Sequence, residues 1–160
     1  PSRNGCILSP VLLVSKRLKF DFFDIDKEIE KKLGRKISDI FASEGEHYFR
    51  QIEEKITLKI LKNSASVISL GGGSFLNKNI KKEVLENHLS FWLNWKSNTL
   101  INRIKDNKYR PLAFEATNNQ LIDLIKKRSN IYAESLYKIN CEGCTKNRVV
   151  RKILDIYEKH

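Results

Sequence analysis

The chain has 160 residues, 41% hydrophobic and 31% charged, with a formal net charge of +11. This size suits one domain with a sizeable core and excludes two comfortable ones; no apolar run approaches the roughly 20 residues that cross a bilayer. The positive balance admits nucleic acid, anionic membrane or small anionic ligands. However, lysine pairs such as Lys31-Lys32, Lys81-Lys82 and Lys126-Lys127 are scattered without an aromatic-interleaved stripe, which favours a solvated basic surface.

The N-terminal residues do not read as a secretory signal. The apolar stretch Ile7 to Val14 is interrupted by Pro10, and Lys16 and Arg17 lie on its far side, the wrong side for a signal peptide. The cytoplasm is the expected location. Phe20 to Asp24 is a short apolar run ending in acid, a strand signal. Lys27 to Leu33 predicts a helix stopped by Gly34. Lys36 to Ala42 has helical spacing, and Phe49, Ile52, Ile56, Ile60 and Leu61 predict a long amphipathic helix over Glu44 to Leu61. Val67 to Leu70 is a compact strand closed by Gly71-Gly72-Gly73. Helix is expected over Asn79 to Asn87, strand over Leu89 to Leu93, and helix again over Ser97 to Lys105 and Asn118 to Leu136. A short strand, Lys138 to Cys141, and a helix, Arg148 to Tyr157, close the chain. Cys6, Cys141 and Cys144 are an odd set, which argues against a disulfide framework. Cys141-Glu-Gly-Cys144 lacks the second pair that zinc needs, so it reads as two free thiols at a strand end.

Strands alternating with helices imply crossover connections: an α/β three-layer sandwich with a mainly parallel sheet, as one domain over 1–160. Ligands of such sheets sit beyond the carboxyl ends of the strands, which brings Asp24, Asp26 and the glycine triplet to one rim. Residues 106–117 (DNKYRPLAFEAT) are polar, contain Arg110-Pro111, and have the length of a lid or of a plain surface loop.

The chemistry-bearing residues cluster around that rim. Alternation aims the Asp24 and Asp26 carboxylates the same way, suiting magnesium and the proton of a hydroxyl; a helix N-cap is the alternative. The Arg50 guanidinium matches a carboxylate bidentately, unless Glu53 or Glu54 holds it in an ion pair. Three glycines after a buried strand leave backbone N–H groups open to close approach by a ligand. Arg110 and Arg128 complete a cationic ring.

FDIDKEIEKKLGRKISDIFASEGEHYFRQIEE, then SLGGG, then YRPL, then KKRSNIY, in that order and spacing, resembles shikimate kinase from about Lys16 to the C-terminus. The resemblance implies a P-loop kinase-like fold, a substrate-binding segment over 24–61, a lid over 106–117, and transfer of the γ-phosphate of ATP to the 3-hydroxyl of shikimate on the route to chorismate and the aromatic amino acids. It implies that Asp26 meets the reacting hydroxyl, that Arg50 and Arg128 clamp the carboxylate, and that Gly71, Gly72 and Gly73 line the substrate. It also implies that Glu53 holds Arg50, that Asp24 supports Mg2+ through water, and that Arg110 swings onto the ATP phosphates. The expected partners are shikimate and ATP, with no nucleic acid and no membrane, and the expected state is a monomer.

One part of the pattern departs. Counting back from Ser15-Lys16-Arg17-Leu18, the family's phosphate-binding lysine falls on Ile7, followed by Leu8 and Ser9, with Pro10 in the first turns of the next helix. The first strand is expected to be truncated or absent. The break before Lys16 is abrupt, which points to a shifted frame or start more than to gradual decay. The expectation is weak or absent kinase activity for the chain as written; the alternative is a non-catalytic shikimate-kinase-like binding protein.

Overall fold

A computed structural model describes residues 8–105 and 117–160. Helix α1 spans Leu8–Leu18. Pro10, which the resemblance put in the first turns of a helix, is the third residue of this one. There the absent N–H costs no intrahelical bond. Val14 and Ser15 are buried, and the Ser15 hydroxyl donates to the Leu12 carbonyl at 2.8 Å. Lys16 and Arg17 occupy the last turn, the favourable end for cations.

Strand β1 (Asp21–Asp24) pairs in parallel with β2 (Ser66–Ser69), placing Asp24 beside Ser69. Between them lie α2 (Ile25–Leu33) and α3 (Ile37–Ile60). Gly34 ends α2 with φ +64°, as its position predicted. The two helices expected over 36–61 form one run, broken at Gly45 by φ +81° and ψ 173°.

A single 3-10 turn (Ser74–Leu76) leads to α4 (Lys78–Asn87), capped by the Asn77 side chain. Strand β3 (Phe91–Asn94) pairs in parallel with β4 (Tyr137–Asn140) across α5 (Ser97–Lys105) and α6 (Asn118–Tyr132). A capping box between Thr117 and Gln120 opens α6, which stops at Tyr132, short of the expected Leu136. Helix α7 (Lys146–Tyr157) follows β4. Cys141 is buried and Cys144 half-buried, both as free thiols; Cys6 lies outside the described residues.

The α/β class with parallel strands is as expected. Among the described residues the strands form two separate parallel pairs. The two pairs nevertheless share a core. Val67 of β2 and Phe91 and Leu93 of β3 pack on one cluster with Val14, Ile139, Val149, Val150 and Ile153. The next residue of β2, Ile68, packs on the other face against Ile25, Ile29, Ile40, Phe49, Ile56 and Ile60 from α2 and α3. Successive strand residues point to opposite faces, so β2 is covered on both sides, the middle layer of a sandwich. Each buried isoleucine contributes about 1.5–3 kcal/mol of transfer free energy. No described helix is long and apolar enough to cross a membrane.

Candidate active site

The carboxyl end of β2 runs into Gly71-Gly72-Gly73, and none of the three has a left-handed backbone. Their requirement is space. A Cβ on Gly71 would stand 2.8 Å from Asp26 Oδ1 and 3.2 Å from both Glu53 Oε1 and Ser74 Oγ. One on Gly72 would stand 3.6 Å from an Arg128 terminal nitrogen. One on Gly73 would stand 2.6 Å from Arg50 Cζ. Under 3 Å something must shift, here the ends of the Asp26 and Arg50 side chains. Missing methyl groups therefore let α2, α3 and α6 converge their polar side chains on one turn. Asp26, Arg50, Glu53 and Arg128, separated in sequence, lie together around the glycine triplet.

Glu53 organises this cluster. It is 2% exposed, accepts from Arg50 Nη1 at 2.7 Å through Oε2, and accepts from the Ser74 hydroxyl at 2.7 Å through Oε1. Burial alone would lower the Arg50 pKa; the hydrogen bond and charge of Glu53, then those of Glu46, outweigh it and hold the guanidinium above its ordinary value. Of the two glutamates that competed for Arg50 in the sequence, Glu53 takes it. Glu54 turns instead to the side-chain amides of Asn77 (2.8 Å) and Asn79 (2.6 Å), which lower its pKa and tie α3 to the start of α4.

The remaining edge of Arg50 is occupied by Glu46, at 3.3 Å from Nε and 3.2 Å from Nη2. That carboxylate is 52% exposed, so this second pair faces solvent. Sequence reasoning missed Glu46, although it stands one helical turn before Arg50 on the same face. It also missed Ser74, a fully buried serine whose only signal was its position after the triplet. The Arg128 Nε is buried without an acceptor among the described residues. A buried guanidinium N–H left unpaired costs free energy that an anionic ligand would recover.

The two aspartates are placed differently from the expectation. Strand alternation does not aim them together, because β1 ends at Asp24 and α2 begins at Ile25, two residues before the predicted start. Asp26 therefore lies in the first helical turn and is exposed, while Asp24 is 8% exposed. Nor is Asp26 an N-cap, since Asp24 holds that position, without a side-chain capping bond. Burial pushes the Asp24 carboxyl pKa up, with the Lys27 charge offsetting part of the effect. Arg110 and residues 106–116 of the expected lid lie outside the described residues, as does Ile7. No group of three or more metal-ligating side chains occurs among the described residues.

The family model for shikimate kinase matches residues 11–158. The chain belongs to the shikimate kinase family. Shikimate kinase of Persephonella marina is 36% identical over 142 residues, spanning 89% of this chain and 86% of that protein. Shikimate kinase of Thermodesulfovibrio yellowstonii is 36% identical over 148 residues, spanning 92% and 86%. Among solved structures, shikimate kinase from Acinetobacter baumannii in complex with shikimate superposes with a TM-score of 0.88 at 27% identity, covering 95% of this chain and 86% of that one. The Aquifex aeolicus shikimate kinase gives 0.83 at 29% identity, covering 94% and 89%. The shikimate kinase match starts at residue 11, upstream of the break that the sequence placed at Lys16. Within α1, Val14 and Ser15 are part of the packed interior.

Proposed function

We propose that the chain is a shikimate kinase that moves the γ-phosphoryl group of ATP to the 3-hydroxyl of shikimate, supplying the route to chorismate and the aromatic amino acids. The convergence of Asp26, Arg50 and Arg128 on the glycine triplet carries this reading. Arg50 and Arg128 bring two guanidinium groups from two helices to one turn, which suits a ring bearing a carboxylate. Glu53 keeps Arg50 in place, and the carboxylate of the ligand takes over the edge that Glu46 now fills. Gly71, Gly72 and Gly73 let the ring approach the backbone. Asp26, exposed beside Gly71, accepts or orients the proton of the attacking hydroxyl.

Phosphoryl transfer depends on alignment and charge neutralisation more than on covalent help. Magnesium is commonly held by one or two carboxylates, water and the phosphates of the nucleotide, without a protein cage. Asp24, at the carboxyl end of β1 and next to that rim, fits as such a carboxylate, acting through water. The bound ion would neutralise charge on the phosphates. In the same reading, 24–61 is the substrate-binding segment and 106–117 the lid. Arg110 in that lid meets the ATP phosphates, and the enzyme works as a cytoplasmic monomer without nucleic-acid or membrane partners.

Ile7, Leu8 and Ser9, standing where a phosphate-binding lysine and hydroxyl belong, favour one alternative: a binding protein that keeps the shikimate pocket without transfer. Titration calorimetry with shikimate and with Mg-ATP, beside a coupled turnover assay, separates the two. The kinase reading expects binding of both ligands and ADP formation, weak in the chain as written, that Asp26→Asn removes while shikimate still binds. Shikimate binding without ATP binding favours the alternative. If shikimate fails to bind at millimolar concentration, neither reading survives.

A further inference from the structure

We propose that Tyr132 is a positioning residue for the substrate site: its hydroxyl donates to the Gly72 carbonyl and thereby sets the direction of the Gly73 N–H. Glycine peptides rotate at little steric cost, so a triplet needs outside contacts to choose one orientation. Two of the three carbonyls are fixed locally, Gly71 by the Ser74 N–H at 3.1 Å and Gly73 by the Leu76 N–H at 3.0 Å. The Gly72 carbonyl is held from 60 residues away, by the last residue of α6.

The peptide bonds of the described chain are trans, and in a trans peptide the carbonyl of one residue and the N–H of the next point in opposite directions. Drawing the Gly72 oxygen toward α6 therefore turns the Gly73 N–H away from α6. Gly73 is also the glycine against which Arg50 lies. The peptide that Tyr132 orients is therefore joined to the residue whose Cα side faces Arg50.

The Tyr132 ring is itself wedged, with centroids 6.4 Å from Phe75 and 6.1 Å from Trp92. It stands one helical turn after Arg128, whose terminal nitrogen lies near Gly72. Helix α6 thus delivers a cation and the anchor of the neighbouring peptide from one face. The role in binding rests on the shikimate reading above; the peptide orientation does not.

Tyr132→Phe retains the ring and deletes only the hydroxyl, so two measurements test the inference. In ligand-free, 15N-labelled protein, the Gly73 amide resonance is expected to move while that of Gly143 stays in place. In calorimetry, the shikimate Kd is expected to rise about five- to tenfold, the fold-change of one hydrogen bond. In turnover assays the shikimate KM follows it, with kcat within about twofold. An unmoved Gly73 resonance overturns the peptide orientation, whether or not shikimate binds. A moved resonance with unchanged shikimate affinity overturns the positioning role. Loss of shikimate binding in the parent protein overturns the binding role along with the functional reading, while the resonance still decides the orientation.

Discussion

At the carboxyl end of β2, three glycines keep ordinary backbone angles and are crowded by Asp26, Glu53, Arg128 and Arg50. Near the carboxyl end of β4, Gly143 has φ +65° and open space where a Cβ would stand. Each end is also tied by one glutamate. Glu53 is buried and grips a guanidinium and a serine hydroxyl. Glu142 accepts from the Lys96 N–H at 3.1 Å and the Thr99 hydroxyl at 3.0 Å, fastening β4 to the start of α5. The first arrangement gathers charge around a backbone that a ligand can approach; the second closes a turn. A glycine conserves space in one place and conformation in the other, and only the first use makes a site.

The comparison breaks most forcefully at Glu53. Glu53→Gln removes the charge that offsets Arg50 at a 2% exposed position and is expected to cost about 2 kcal/mol of stability in urea denaturation. Shikimate affinity should fall at least tenfold with it, about 1.4 kcal/mol. Unchanged denaturation and binding would show that the ion pair organises nothing.

Paired glycine variants sharpen the contrast. Gly73→Ala drives a methyl group into the Arg50 guanidinium and should weaken shikimate binding by about tenfold or more, read by calorimetry. Gly143→Ala should cost about 1–2 kcal/mol through backbone strain, with binding unaltered. Equal effects of the two on binding would erase the distinction.

Asp24 tests the electrostatics of the rim. Its folded pKa is raised above the ordinary 3.8, so the folded state binds the proton more tightly than the unfolded state. Stability therefore falls as pH rises from 3.8 through the raised value. Asp24→Asn should raise the melting temperature at pH 7, and that gain should vanish below pH 3.8. A gain independent of pH would refute burial as the cause.

The smallest effect is expected at Glu46. Its exposed pair with Arg50 is worth less than about 1 kcal/mol, so Glu46→Gln should tighten shikimate binding by up to about fivefold by freeing the carboxylate-binding edge. Weaker binding in that variant would mean that Glu46 assists Arg50 and does not compete with the ligand.

Much of the fold was legible because periodicity is local. Helix Ser97–Lys105 has the bounds its spacing predicted, and Gly34 stops α2 where a glycine should. Helix α1 was legible only through the resemblance, which put Pro10 in the first turns of a helix; local periodicity did not show it, and the first turn tolerates proline. In the site, Arg50 with Glu53 was visible as a one-turn pair. Ser74 was hidden because a buried serine carries no pattern until its acceptor, 21 residues away, is known.

The sequence by itself determined the alternation of elements, the triplet after a buried strand and the candidate charges, since each is set by neighbours within a turn or two. Only the tertiary structure decided that Glu54 goes to Asn77, that Asp24 is buried while Asp26 is exposed, and that Tyr132 reaches Gly72. Those outcomes depend on where helices end and which faces pack, and contacts 20 to 60 residues apart leave no trace in local spacing.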